Sequence, residues 1–206
     1  MDAFGLNFKN PVGLAAGYDK DGIGWQGLSL LGFGHIELGT VTPLPQPGNP
    51  RPRIFRFASE GGLVNWMGFP GRGADYLEDQ ILNKERGDLI LGVNIGKNAN
   101  TPLDSAVEDY QNLINRFAGT ANYLVINISS PNTAGLRRLQ ARRALDELLA
   151  ALVDVRKEQE NQLNKKVPLL VKLSPDLAEP DLKDAIDIIF HYELDGVVAT
   201  NTSSEL

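Results

Sequence analysis

The sequence predicts an α/β protein folded as a (β/α)8 (TIM) barrel, with about six of the eight βα units present. Three observations lead there. Short, nearly continuous apolar runs alternate with segments whose apolar residues recur at helical spacing, the pattern of a parallel sheet covered by helices. Nearly every apolar run ends in Asn, Thr, Ser or Lys, whereas a doubly wound sheet needs polar groups at only one switch point. One glycine-rich interval breaks the rhythm after the second run and predicts an inserted hairpin or lid over residues 51–73.

In chain order, "PVGLAA" and "HIELGT" are the first two strands, with polar tips in "AAGYDK" and "LGTVTP". The interval "RPRIFRFASEGGLVNWMGFPGRG" alternates, then fills with glycine, as a hairpin does. "LILGVNIG" is the third strand, and "LDSAVEDYQNLINRFAG" the helix that follows it. "YLVINIS" is the fourth, followed by the leucine-striped "RRALDELLAALVDVRKEQE", which should pack on the sheet. "PLLVKLS" and "DGVVATN" are the fifth and sixth. The whole chain, 1–206, reads as a single, partial barrel domain, with no internal repeat and no low-complexity tract.

Composition narrows the function. With 42% hydrophobic and 22% charged residues the chain is an ordinary globular protein. A net charge of -6 offers no basic field for a phosphate backbone, so nucleic acid is not an expected partner. Cysteine is absent, which excludes a disulfide scaffold, a thiol nucleophile and a thiolate metal site. No acidic residues show metal-ligand spacing, so no metal is expected. Asp176 in "SPD" and the run "SAVEDY" read as solvated faces. Neither a signal peptide nor a stretch of ~20 apolar residues is found, and the chain reads as soluble.

The strand tips carry a resemblance. "NPVGLAAGYDKDG", "GTVTPLPQPGNPRPR", "NIGKN", "VINISSPNTAGLRRLQ", "VKLSPD" and "ATNT", in that order, resemble the dihydroorotate dehydrogenases, flavin enzymes of pyrimidine synthesis. Serine rather than cysteine after the fourth strand is similar to the class 2, quinone-reducing branch. The resemblance implies oxidation of dihydroorotate to orotate, with FMN taking the hydride and a quinone as final acceptor. It makes Ser130 the catalytic base, with Thr133 and Phe69 forming and shielding its proton route.

The same resemblance assigns Lys20, Asn65, Trp66, Met67, Gly68, Phe69, Asn127, Asn132, Asn201 and Thr202 to the substrate. Ala16, Gly17, Tyr18, Asp19, Lys20, Thr40, Asn94, Asn127, Lys172 and Thr200 fall at FMN-contacting positions. It further implies a helical extension before the first barrel strand that docks on the cytoplasmic face of a membrane, and two further strands. Without these the chain reads as a partial sequence.

The residue types suit these tasks. A lysine at a strand end offsets negative charge on a reduced flavin, and an asparagine offers both a donor and an acceptor to a cyclic amide. Each residue also has a plain structural reading when taken singly. Ser129, Ser130, Asn132 and Thr133 suit a turn. Lys20 and Lys172 suit a solvated surface, Asn65, Asn127 and Asn201 helix caps, and Phe69 a core. Their shared place at one end of successive strands favours the site. Where many members of the resembled family read "NRMGFNN", this chain has "NWMGFPG": Trp66 stands in place of an arginine, and Pro70 and Gly71 in place of two asparagines. Another FMN barrel oxidoreductase acting on dihydropyrimidines and a truncated, non-catalytic barrel module are the alternatives.

Overall fold

A computed structural model describes residues 1–204. The chain opens with an antiparallel pair, β1 (Asp2–Ala3) and β2 (Leu6–Asn7). The barrel units follow: β3 (Gly13–Leu14), α1 (Trp25–Ser29) and β4 (His35–Val41). A second antiparallel pair, β5 (Ile54–Phe57) and β6 (Gly62–Asn65), stands between β4 and α2 (Gly73–Leu82). Then come β7 (Ile90–Ile95), α3 (Ala106–Phe117), β8 (Tyr123–Asn127), α4 (Arg142–Leu163), β9 (Leu169–Leu173), α5 (Glu179–His191) and β10 (Gly196–Ala199).

The main sheet has six strands in the order β10-β9-β8-β7-β4-β3, and every pairing in it is parallel. It is the curled sheet of a partial barrel. The six apolar runs of the sequence are these six strands, and the alternation of side chains explains why they are apolar throughout. Leu38, Val93, Leu124, Ile126 and Val171 face the helices and join the main core. The alternate residues Ile90, Tyr123, Val125 and Leu170 form a second, inner cluster with Phe8.

The β1–β2 hairpin supplies that inner cluster with its plug. Phe4 and Phe8 meet edge to face, Phe8 stacks edgewise on His35 and Phe4 on Tyr123, at the ends where β4 and β8 begin. The opposite ends of the strands stay open. On the outer face α4 buries Leu145, Leu148, Leu149, Leu152 and Val153. Each such side chain contributes ~1.5–3 kcal/mol when fully buried.

Candidate active site

The open strand ends surround one cavity of ≈ 430 Å³. Lys20 reaches it from the loop after β3, Thr40 from β4, Asn127 and Ser130 from the end of β8, and Lys172 from β9. Thr200, Asn201 and Thr202 approach from the tip of β10, and Ala16 and Gly17 from that of β3. Gly17 has φ +108°, and a β-carbon there would meet nothing within 4 Å. Its surface toward the cavity is therefore flat and bare.

The β5–β6 hairpin and its continuation form the remaining wall, with Asn65, Met67, Gly68 and Phe69. Phe69 serves both the cavity and the core, being only 6% exposed. The segment after β6 is fastened at its far end: Gln46 and Gly71 exchange backbone hydrogen bonds at 3.0 Å, and Gln46 Nε2 donates to the carbonyls of Gly68 and Phe69. This is the stretch carrying Pro70 and Gly71.

Ser130 is buried, and its Oγ accepts the backbone N–H of Asn132 at 3.2 Å. Asn132 is itself tied to the hairpin, donating from Nδ2 to Asn65 Oδ1 at 3.0 Å, while its carbonyl accepts from Asn49. The Thr133 hydroxyl is buried without a hydrogen-bond partner among the described residues. No imidazole is at hand: His35 lies where β4 begins, its pKa held down by burial, and His191 ends α5.

Two cations that form no ion pair among the described residues dominate the electrostatics. Burial, then the neighbouring Lys172, pushes the Lys20 ammonium down to about 8, with Asp21 pulling weakly the other way. Lys172 is only 9% exposed. Neither is a solvated charge, and together they present an anion-binding wall. No group of three or more His, Cys, Asp or Glu side chains among the described residues could hold a metal ion.

The asparagines are not helix caps. Asn127 is 3% exposed, donates to Thr40 and Asn94, and accepts from Ser129 and Asn201. Asn94 is fully buried beneath the cavity and does not line it. Four other expected site residues, Thr133, Tyr18, Trp66 and Asp19, also lie outside the lining. Tyr18 is 73% exposed, and Trp66 turns its side chain to solvent at 52%. Asp19 turns its carboxylate to the backbone N–H groups of Ile23 and Gly24 ahead of α1.

The sequence profile described as dihydroorotate dehydrogenase matches residues 1–206. The chain belongs to the dihydroorotate dehydrogenase family. It is 49% identical over 203 residues to proteins named dihydroorotate dehydrogenase (quinone) from Pectobacterium atrosepticum and Yersinia pseudotuberculosis, covering 98% of this chain and 60% of each relative. It superposes with a TM-score of 0.91 on the crystal structure of DHODH from Eimeria tenella in complex with ferulenol, at 37% identity, covering 100% of this chain and 60% of that one. The ligand-free form matches with the same TM-score at 38% identity. The chain thus spans about 60% of the length of the relatives it matches.

Within this dihydroorotate dehydrogenase domain, sequence reasoning passed over several groups. Ala15, Ile54 and Leu63 line the cavity. Asp176 is no solvated face: its oxygens accept from Arg137 at 2.9 Å and from Ser203 and Ser204. Those hydroxyls, ahead of Arg137, hold its carboxyl below the usual carboxylate range. Arg137 also donates to the carbonyls of Ser129 and Thr202, joining the tips of β8, β9 and β10. Ser129 is more than a turn former, since its Oγ donates to Asn127 and accepts from Asn201 at 3.0 Å. "LRR" after the "SPN" turn offered a basic signal, but nothing local named its partner.

Proposed function

We propose that the chain forms the larger part of a quinone-dependent dihydroorotate dehydrogenase, which oxidises dihydroorotate to orotate with FMN. The observation that carries this reading is the convergence of Ser130, Lys20, Lys172 and four asparagines on one cavity. The residues present suit FMN: the half-buried Lys20 and the buried Lys172, neither in an ion pair among the described residues, favour an anionic partner, and bare Gly17 admits a flat ring. Lys20, Lys172, Thr40, Asn127, Ala16, Gly17 and Thr200 would hold it. FMN, when bound, supplies the acceptor for the hydride from C6 of the substrate.

The protein's own part is to hold the ring and move a proton. Asn65, Asn127, Asn132 and Asn201 surround the substrate ring with donors and acceptors, and Lys20 pairs with its carboxylate. Ser130 Oγ takes the proton from C5. A serine is a weak base, so dryness and a donor to the developing charge must assist it. Ser130 is 4% exposed, and the Asn132 N–H already points at its oxygen. The unpartnered Thr133 hydroxyl is the next station for the proton. The hairpin, with Ile54 and Leu63 on the cavity, acts as the lid that keeps water out.

Quinone as the final acceptor follows the relatives' printed name. Because quinones partition into lipid, it implies an encounter at a membrane surface, although no helix among the described residues is long and apolar enough to cross a membrane. The test is anaerobic mixing of the intact, FMN-loaded protein with dihydroorotate. The flavin should bleach, orotate should appear in equal amount, and a short-chain quinone should restore the colour. A flavin that stays oxidised would refute the reading.

A further inference from the structure

The β5–β6 hairpin stands out from the molecule with apolar side chains on both of its faces. Every residue of β5 is exposed, as are Gly62, Leu63 and Val64 of β6. The register pairs Ile54 with Asn65, Phe55 with Val64, Arg56 with Leu63 and Phe57 with Gly62. Side chains alternate along a strand and cross-strand partners share a face, so Ile54, Leu63 and Asn65 form the face that walls the cavity. Phe55, Phe57, Val64 and Trp66 form the other. These four side chains are 41% to 52% exposed, and none of them joins either core cluster. A two-stranded hairpin is marginally stable alone in water, and an apolar patch of this kind marks an interaction surface.

Charge indicates the kind of partner. Residues 51–73 carry Arg51, Arg53, Arg56 and Arg72 against Glu60 alone, a net positive segment in a chain whose net charge is -6. Arg51 and Arg56 are exposed and stand in no ion pair among the described residues. Aromatic rings flanked by guanidinium groups suit the boundary of an anionic lipid layer, where rings settle at headgroup level and basic side chains meet phosphates. The opposite face of the same hairpin opens on the cavity through Ile54 and Leu63.

We propose that the outer face of the hairpin, with Phe55, Phe57, Val64 and Trp66, docks on the headgroup boundary of an anionic lipid bilayer, and that Arg51 and Arg56 pair with its phosphates. The inference rests on the reading of the cavity as the site of a quinone-dependent oxidation. A docked hairpin holds the mouth of that cavity at the surface from which an apolar quinone arrives.

The test uses the intact, FMN-loaded protein with vesicles of phosphatidylcholine, alone or mixed with phosphatidylglycerol. Trp66 is a built-in probe, being half exposed, whereas Trp25 is 1% exposed in the core. With the mixed vesicles the protein should co-sediment, and its tryptophan emission should move to shorter wavelength and lose access to acrylamide. Trp66→Phe should keep the co-sedimentation and abolish the emission change, which places the contact at the hairpin. Phe55→Ser combined with Phe57→Ser should weaken partitioning about tenfold or more. Arg56→Gln should weaken it about fivefold, the worth of one basic residue at an anionic surface. Pure phosphatidylcholine should bind less, and salt should weaken binding to the mixture.

No binding to the mixed vesicles would overturn the proposal, and so would binding without an emission change that depends on Trp66. Two other occupants of the face have their own signatures, and either would overturn it. Trp66 shielded from acrylamide in the lipid-free protein gives the face to another part of the protein; self-association abolished by the serine pair gives it to a second copy. Should the serine pair fail to fold, Arg56→Gln decides, and unchanged partitioning there counts against docking. Vesicle binding is read without turnover, so its failure is distinct from failure of the site reading, which a flavin left oxidised by dihydroorotate would reveal.

Discussion

Replacing Ser130 with alanine should separate chemistry from binding. The hydroxyl makes one hydrogen bond among the described residues, accepting the Asn132 N–H at 3.2 Å. Its loss leaves that part-buried donor without its protein partner, at a cost of about 1–3 kcal/mol, small enough for a folded domain to persist. The asparagines that surround the ring keep their own partners: Asn127 through Thr40 and Asn94, Asn132 through Asn65. FMN and orotate affinity should therefore stay close to wild type. Flavin reduction by dihydroorotate should slow by ~10²–10⁴, the usual worth of a general base. Ser129→Ala, one residue earlier, should do the reverse, because that hydroxyl bridges Asn127 and Asn201 inside the core of the site. It should raise the apparent dihydroorotate Kd while leaving the limiting rate within about threefold, since it removes hydrogen bonds of ~1 kcal/mol each and no base. Anaerobic stopped-flow measures both quantities from the bleaching of the flavin across substrate concentrations. If Ser130→Ala reduces flavin at the wild-type limiting rate, Ser130 is a turn residue and the proton leaves by another group.

Three further outcomes are expected. Lys172→Ala should lower the flavin midpoint potential, by about 60 mV if one electrostatic donor worth ~3 kcal/mol is lost over two electrons; potentiometric titration reads it, and an unchanged midpoint would remove Lys172 from the flavin. Orotate affinity should fall as pH rises through about 8, where burial and Lys172 place the Lys20 ammonium of the free site. A bound anion favours the charged lysine and raises its pKa, so binding takes up protons above that pH, which calorimetry in buffers of different ionisation enthalpy detects. Gly92→Ala should cost ~1–3 kcal/mol of stability by driving a methyl into the Tyr123 ring; unchanged thermal melting would contradict the packing of the inner face.

Legibility in the sequence followed the distance over which each feature is determined. The six strands were readable because burial on both faces demands uninterrupted apolar runs, and "YLVINIS" or "PLLVKLS" admit little else. The polar tips were readable because all sit immediately after such runs. Trp66 shows where that reasoning stops: its neighbours Asn65 and Met67 face the cavity, but in an extended hairpin successive side chains turn opposite ways, and Trp66 turns out to solvent. Tyr18 and Asp19 likewise lie outside the cavity lining, in a turn whose direction adjacency to Lys20 does not determine.

What stayed hidden was the partnership of polar groups distant in sequence. Asp176 finds Arg137 39 residues away, and Glu37 meets Tyr123 at a separation of 86, contacts that exist only because successive strands bring their ends side by side. Glu37 in "HIELGT" reads as an anomaly, a charge inside an apolar strand, and that anomaly was its only signal. A buried charge in such a place has to be matched by donors, and in a parallel sheet those donors come from neighbouring strands at the same level. The asparagines legible as ligand contacts are, in the fold, also the donors and acceptors linking the cavity to that charge. Recognition at the rim and polarity in the interior are therefore one network, and a substitution at either end should be read for its effect on the other.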